Sequence, residues 1–437
     1  MQNLKPLTLQ DNFIWTFAGN FVYAACQWGM LVLLAKIGRA EMVGQFTLGL
    51  AVTAPVIMLT NLQLRTIQAT DARQQYQFGD YLGLRLLGTA LALIGIVGIT
   101  LKAGYRGETS LVILVIGLAK GFESISDIFY GLIQQYERMD RIAISMMIKG
   151  PLSLLMLALG IYLSGSVVGG AIGLAIAWAT ILLGYDIRSG CLILKTNLWG
   201  TGSQRKSSSQ AIQNLLQPRW HLKTLSKLVW LALPLGLVMM LISLNSNIPQ
   251  YFIEGYLGEG QLGIFAAIAY LMVAGNMVVG ALGQSANPRL AKYYAAGDSI
   301  AFRTLMLKLV GIGAFLGGIA VLVAFVMGQQ ILTLIYRPEY AQQADLFIWL
   351  MVAAGIGYVA SFLGYGMTAA RYFRIQIPLF TAVTGTSAIA CLWLIPIWGL
   401  HGAATGLILA AFVQVIFSLG AIAHALHKLP KPKEMEI

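Results

Sequence analysis

The sequence is poor in charged residues, cysteine and histidine. Asp, Glu, Lys and Arg make up 11% of its 437 residues, whereas a soluble domain carries roughly 25%. The three cysteines are far apart and predict no disulfide framework, and the four histidines show no metal-ligand spacing. A glycine-rich phosphate-binding loop is also missing, so direct use of ATP is not expected. These deficits exclude a soluble enzyme and predict an integral membrane protein without a bound metal or nucleotide.

Long apolar segments make up most of the sequence. Hydrophobic residues make up 58% of the chain, and a helix needs about 20 of them to cross a bilayer. Short alternating segments typical of membrane strands are absent. The pattern predicts an all-α polytopic membrane protein with about 12 transmembrane helices, the second kinked at Pro55. The predicted spans are 12–35, 45–67, 81–101, 110–134, 142–164, 168–185, 228–250, 261–286, 304–327, 343–368, 376–398 and 401–424.

A long polar stretch divides these spans into two sets of six. We predict an N-terminal lobe over 1–185, a cytoplasmic linker with an interfacial amphipathic segment over 186–227, a C-terminal lobe over 228–424 and a cytoplasmic tail over 425–437. Short matches recur in the same order in both sets, which predicts two six-helix lobes related by a parallel pseudo-repeat. The matched pairs include Gly44-x-Phe46 with Gly263-x-Phe265, Gly79-Asp80 with Gly297-Asp298, and Arg138 and Arg141 with Arg371 and Arg374.

The net charge of +12 follows from 29 Lys and Arg against 17 Asp and Glu. A basic balance is typical of proteins that bind nucleic acid or a membrane surface. With a cytoplasmic N-terminus, alternate loops and the adjoining span ends hold 23 basic residues, Arg85 and Lys149 among them, and the opposite loops hold five. The positive-inside rule therefore predicts that both termini are cytoplasmic. Topology accounts for the charge, and no nucleic-acid partner is predicted.

Several segments resemble a known family, and the resemblance covers essentially the whole chain. They are Phe46 to Asp71, Gly121 to Arg141 (GFESISDIFYGLIQQYERMDR), Asn287 to Arg303 (NPRLAKYYAAGDSIAFR) and Gly399 to Ala404. They resemble bacterial polysaccharide-biosynthesis membrane proteins, the lipid-linked oligosaccharide flippases of the multidrug/oligosaccharidyl-lipid/polysaccharide exporter superfamily. The resemblance implies alternating access in the bacterial cytoplasmic (inner) membrane. It implies as partners an undecaprenyl-diphosphate-linked oligosaccharide, membrane lipids and polysaccharide assembly proteins.

The fourth span carries Lys120, Glu123, Asp127, Tyr130 and Gln134, whose steps of three and four residues place them on one helical face. Ionisable groups in a membrane face a cavity or a partner. In a functional interpretation Lys120 binds the diphosphate, and Glu123 and Asp127 couple transport to a proton or sodium ion or gate release. In a structural interpretation Lys120 pairs with Glu123, and Asp127 pairs with Arg65 or Arg85. Both interpretations stay open.

Amides and one arginine complete the candidate binding residues. Asn61 and Arg65 share a face of the second span, where Arg65 either binds phosphate or reaches the lipid headgroups. Asn245 and Asn247 in the seventh span and Asn276 in the eighth either bind sugar hydroxyls or join helices. No residue is predicted to be catalytic.

Two other functions remain alternatives to a flippase. A cation-coupled multidrug or small-molecule exporter of the same superfamily would use the Lys120, Glu123 and Asp127 face as its ion site. A polysaccharide polymerase or ligase would need catalytic groups in a large outer loop, and the longest outer loop, over 328–342, is short. We therefore expect a transporter and not an enzyme.

Overall fold

The computed structural model describes residues 7–71, 75–105, 107–200, 217–370, 372 and 375–427, without the side chains of 9 and 195–200. Every regular element in these ranges is a helix, so the predicted all-α class is confirmed. The helices are α1 (Leu9–Ile37), α2 (Ala40–Asn61), α3 (Leu64–Thr70), α4 (Phe78–Ala103), α5 (Gly107–Gln135), α6 (Met139–Ser164), α7 (Val167–Ile181, followed by a π-helical turn Leu182–Asp186), α8 (Ile187–Gly200), α9 (Leu222–Leu257), α10 (Glu259–Tyr270), α11 (Met272–Ala295), α12 (Ser299–Ile335), α13 (Pro338–Ala341), α14 (Ala344–Ala369), α15 (Gln376–Trp398) and α16 (Leu400–His427).

Eleven helical segments in the described residues are long and apolar enough to cross a membrane. The helix α5 is not among the eleven, although its 29 residues match the predicted fourth span. Four charged residues interrupt its apolar surface: Glu108, Lys120, Glu123 and Asp127. The eleven other segments establish a multi-pass membrane protein.

The helices form two compact units. Unit 1 comprises Met1–Leu33 and Gln45–Met240, and unit 2 comprises Leu34–Gly44 and Leu241–Ile437. Three helices, α1, α2 and α9, thus each contribute residues to both units. The predicted lobes, in contrast, were continuous segments of the chain. The lobe boundaries and the parallel repeat stay predictions. Arg371 and Arg374, two of the matched repeat positions, lie outside the described residues, as do 201–216 and 428–437.

Unit 1 is built around α5, which packs against α3, α4, α6, α7 and α8. A cluster including Phe78, Phe129 and Leu132 lies between these helices at one end. This burial from several sides explains why a charged helix is tolerated, because its polar face is turned away from lipid. Unit 2 is built in the same way around α14, which packs against α11, α12 and α16.

Gly44 and Gly263, which the predicted repeat aligns, pack against each other's helix within unit 2. A Cβ on Gly44 would collide with the Glu259 carbonyl, and one on Gly263 would collide with the Ala40 carbonyl. Glycine is required at both positions because the two backbones are in contact.

Two features of unit 1 were not predicted. Helix α2 contains Pro55 and ends at Asn61, and a break follows at Leu62 and Gln63, each with a φ of 52°. The segment after Asp186 is also not a polar linker from its start, since α8 continues as a helix to Gly200. Its residues Ile193 and Leu194 are buried, which explains why the helix is retained.

Candidate functional site

The polar face of α5 lines a cavity of about 600 Å³ within unit 1, which we call the unit 1 cavity. All five residues of the predicted face, from Lys120 to Gln134, contribute to its wall. They span 14 residues, which corresponds to about 21 Å along a helix. Asn61 and Arg65 line the same cavity. The structure therefore brings together every site residue predicted in the first half of the chain.

Ion pairs connect α5 to its neighbours. The Lys120 ammonium lies 2.8 Å from Glu123, which also accepts a hydrogen bond of 2.8 Å from the Tyr23 hydroxyl of α1. Asp127 pairs with Arg85 at 3.0 Å and with Arg65 at 3.4 Å. The pairing that defined the structural interpretation is thus present in residues that also line the cavity. Cavity lining and ion pairing do not exclude each other.

Three buried charged residues were assigned to the wrong environment from the sequence. Arg85 and Lys149 were counted as boundary cations, yet their exposed fractions are 0% and 2%. Asp186 was taken as the first linker residue, yet it is buried and accepts a hydrogen bond of 2.5 Å from Ser145. Lys149 already lay inside the predicted span 142–164, and that position was the available signal.

Lys149 lines the cavity without a direct ion pair in the described part of the chain, and the nearby carboxylates Glu123 and Asp186 stabilise its charge electrostatically. Its ammonium lies 5.1 Å from the centre of the Tyr130 ring, and the Arg65 guanidinium lies 5.5 Å from the same ring. Lys120 contacts Trp178 of α7 in the same way, at 4.9 Å. These aromatic faces stabilise the cations by about 1 kcal/mol or more each, and they leave the charge unneutralised.

The charged residues that line the unit 1 cavity, together with the buried Arg85 and Asp186, form a group that we call the charged cluster. It contains four cations and three carboxylates, so its net charge is +1. A net cation in a membrane interior is costly, so the cluster is suited to an anionic ligand or to negative charge supplied from solution. The members of this charged cluster are Arg65, Arg85, Lys120, Lys149, Glu123, Asp127 and Asp186.

The short helix α3 is held against α5 by Gln68. With its amide oriented to satisfy both groups, Gln68 donates to the Ile128 carbonyl at 3.1 Å and accepts from the Leu132 amide at 3.2 Å. Gly131 makes this approach possible, because a Cβ there would collide with the Gln68 side chain. Arg65 lies one turn earlier on α3, so this contact holds its backbone beside α5, and its guanidinium donates to Gln134 at 3.0 Å and to Asp127 at 3.4 Å.

The asparagines predicted in the second half of the chain divide into two groups. Asn245 and Asn276 line a second cavity, of about 550 Å³, within unit 2, which we call the unit 2 cavity. Asn247 is absent from its wall and donates to the Ser243 carbonyl of its own helix at 2.7 Å. Asn247 therefore lies outside the unit 2 cavity, and its amide nitrogen is occupied by its own helix.

A membrane-embedded cavity lined by cations and carboxylates is typical of multi-pass proteins that bind or carry a charged solute. A family model described as polysaccharide biosynthesis protein matches residues 9–294, and the chain belongs to this family. It is 27% identical over 407 residues to the capsular polysaccharide biosynthesis protein CapF of Staphylococcus aureus, covering 93% of this chain and 97% of CapF.

Solved structures show the same fold at low sequence identity. The lipid II flippase MurJ aligns with a TM-score of 0.68 and 13% identity, covering 95% of this chain and 90% of MurJ. A multidrug resistance MATE family transporter of the MOP superfamily aligns with a TM-score of 0.66 and 14% identity, covering 97% of this chain and 100% of the transporter. The chain thus shares the fold of these two proteins.

Proposed function

We propose that the protein is a flippase that moves an undecaprenyl-diphosphate-linked oligosaccharide from the cytoplasmic to the outer leaflet by alternating access. Such a lipid serves the synthesis of O-antigen, capsule or exopolysaccharide. The observation that carries the proposal is the surplus positive charge of the charged cluster, with Lys120, Arg65 and Lys149 in the wall of the unit 1 cavity. A diphosphate supplies the missing negative charge, and lysine and arginine are the side chains that bind phosphate best. The match to a polysaccharide biosynthesis family supports the same substrate class.

The ion pairs provide a route to coupling. A diphosphate that binds Lys120 and Arg65 competes with the carboxylates that hold them, so Glu123 and Asp127 are released as the anion enters. A released carboxylate then takes up a proton or a sodium ion or forms a new pair. The residues Glu123 and Asp127 are therefore proposed as coupling or gating groups, and Lys120, Arg65 and Asn61 as substrate-binding groups.

Removing one cation tests the proposal in cells that lack the gene. Lys120→Ala is expected to abolish restoration of surface polysaccharide, because the diphosphate loses a direct ligand while the protein still reaches the membrane. Lys308→Gln is the matched control, since Lys308 is an exposed lysine on α12 outside both cavities, and it is expected to restore the polysaccharide fully. Normal restoration by a well-expressed Lys120→Ala protein would remove Lys120 from the site.

A cation-coupled exporter of drugs or small molecules is the second candidate, and the carboxylates in the unit 1 cavity favour it. The same deletion strain separates the two functions. Loss of a drug exporter raises sensitivity to cationic dyes and leaves lipid-linked saccharides normally exported. Loss of a flippase blocks their export and leaves dye sensitivity unchanged.

A further inference from the structure

The unit 2 cavity differs in chemistry from the unit 1 cavity. None of the described residues that line it is charged. Its wall instead carries amides, hydroxyls and aromatic rings, contributed by α9, α11, α14, α15 and α16. The polar and aromatic members that matter here are Asn245, Asn276, Ser361, Tyr365, Phe380 and Gln414. This cavity is therefore unsuited to a phosphate and open to a neutral polar ligand.

Three of the four amide side chains in this wall do not join helices. The fourth, Gln376, donates to the Thr368 hydroxyl of a neighbouring helix at 3.4 Å. The Asn245 side-chain oxygen is buried and has no hydrogen-bond partner. The side chains of Asn276 and Gln414 form no hydrogen bond with any described residue. An amide side chain within a membrane-spanning segment destabilises the protein when its donor and acceptor have no hydrogen-bond partner. Three unpaired amides around one cavity therefore indicate a ligand, or the water that the ligand replaces.

An uncharged saccharide matches this wall group by group. Each amide offers a donor and an acceptor side by side, as two neighbouring sugar hydroxyls require. The rings of Tyr365 and Phe380 provide apolar faces for the C–H surfaces of a sugar ring. Gly357 and Gly364 leave open space at the wall, because a Cβ at either position would meet no atom. A volume of about 550 Å³ lies within the range of small-molecule sites.

We propose that the unit 2 cavity binds uncharged sugar residues of the transported lipid and that Asn245, Asn276 and Gln414 recognise their hydroxyl groups. The inference rests on the proposed function and deepens it. It assigns the selection of the glycan to unit 2, and it predicts that the bound sugars carry no carboxylate or phosphate, since no cation in the wall would pair with one.

Binding of two lipids to the purified full-length protein tests the inference. The probes are undecaprenyl diphosphate and the undecaprenyl-diphosphate-linked saccharide extracted from cells that lack this gene. Wild-type protein is expected to bind the saccharide-linked lipid at least 10-fold more tightly. Asn245→Ala and Gln414→Ala should each reduce this preference about 5-fold, with an unchanged Kd for undecaprenyl diphosphate. Asn247→Ala, an amide two residues from Asn245 but outside the wall, should retain the full preference.

The outcomes separate this inference from the function on which it rests. A wild-type protein that binds both lipids equally, or variants that keep the full preference for the saccharide, would overturn the sugar site alone. Equal losses for both lipids in Asn245→Ala and Gln414→Ala would also overturn it, because the effect would then be structural. Failure of the wild-type protein to bind either lipid would overturn the flippase proposal and the sugar site together.

Discussion

Lys149 is one of the four cations of the charged cluster, which contains three carboxylates. It is 2% exposed, its ammonium contacts the Tyr130 ring, and Asp186 and Glu123 stabilise its charge electrostatically. A buried lysine that lines a cavity in this way is suited both to hold its carboxylate neighbours and to bind an anion. Its replacement is therefore expected to affect both stability and binding.

Replacing this lysine tests both properties. Lys149→Met should lower the apparent melting temperature of the purified protein by about 2 °C or more, because the buried Asp186 loses a cation that stabilises its charge. The same change should weaken binding of undecaprenyl diphosphate about 10-fold or more. Thermal unfolding and lipid binding measure the two effects, with Lys149→Arg as the charge-retaining control. Unchanged affinity would exclude Lys149 from the binding site.

Asp127 holds two arginines, one of which is fully buried. Asp127→Asn should destabilise unit 1 by about 3 kcal/mol or more, because Arg85 is left as an uncompensated buried cation. Adding Arg85→Gln should recover part of the loss, and a double-mutant cycle measured by thermal unfolding gives the coupling energy. Strictly additive losses would show that the pair contributes no net coupling.

Helix α3 positions Arg65 through the contact between Gln68 and α5. Gly131→Ala places a methyl group against Gln68 and the Arg65 backbone, so the two helices must separate. We expect a loss of about 1–3 kcal/mol of stability together with loss of polysaccharide restoration in cells. Gly98→Ala on α4 is the matched control, since a Cβ there meets no atom, and it should leave restoration intact. Full restoration by Gly131→Ala would show that the α3 position is not critical.

The sequence predicted the helices from the length of its apolar runs and the polar face of α5 from the spacing of its polar residues. Steps of three and four residues place Lys120, Glu123 and Asp127 on one side whatever surrounds them. The break after Asn61 could not be predicted, since Leu62 and Gln63 are neither glycine nor proline and their positive φ depends on tertiary packing.

The environment of single polar residues was the least predictable feature. Asn245 and Asn247 lie two residues apart on α9, yet one lines a cavity and the other binds its own helix. Arg85 and Lys149 lie inside predicted spans, within about two turns of the cytoplasmic end, and a count of basic residues by loop assigned them to the boundary. Their position in a span was a signal of burial, but which neighbouring helix covers them depends on tertiary packing.

For the molecule as a whole, the distribution of basic residues predicts the orientation in the membrane. Without Arg85 and Lys149, 21 of the 23 basic residues are still predicted to be cytoplasmic, against five on the other side. In a cysteine-free background, a membrane-impermeant maleimide should label Glu108→Cys and not Glu137→Cys in intact cells. Both positions are exposed, so access to the reagent depends on side alone. The reverse pattern would invert the topology.

The leaflet in which an undecaprenyl-diphosphate-linked saccharide accumulates after deletion of this gene tests the flippase proposal most directly. Spheroplasts treated with a membrane-impermeant oxidant report which fraction of the lipid faces outward. The proposal predicts that the saccharide is protected in the deletion strain and becomes accessible when the wild-type gene is restored. Accessible, unpolymerised saccharide on the outer leaflet of the deletion strain would contradict it.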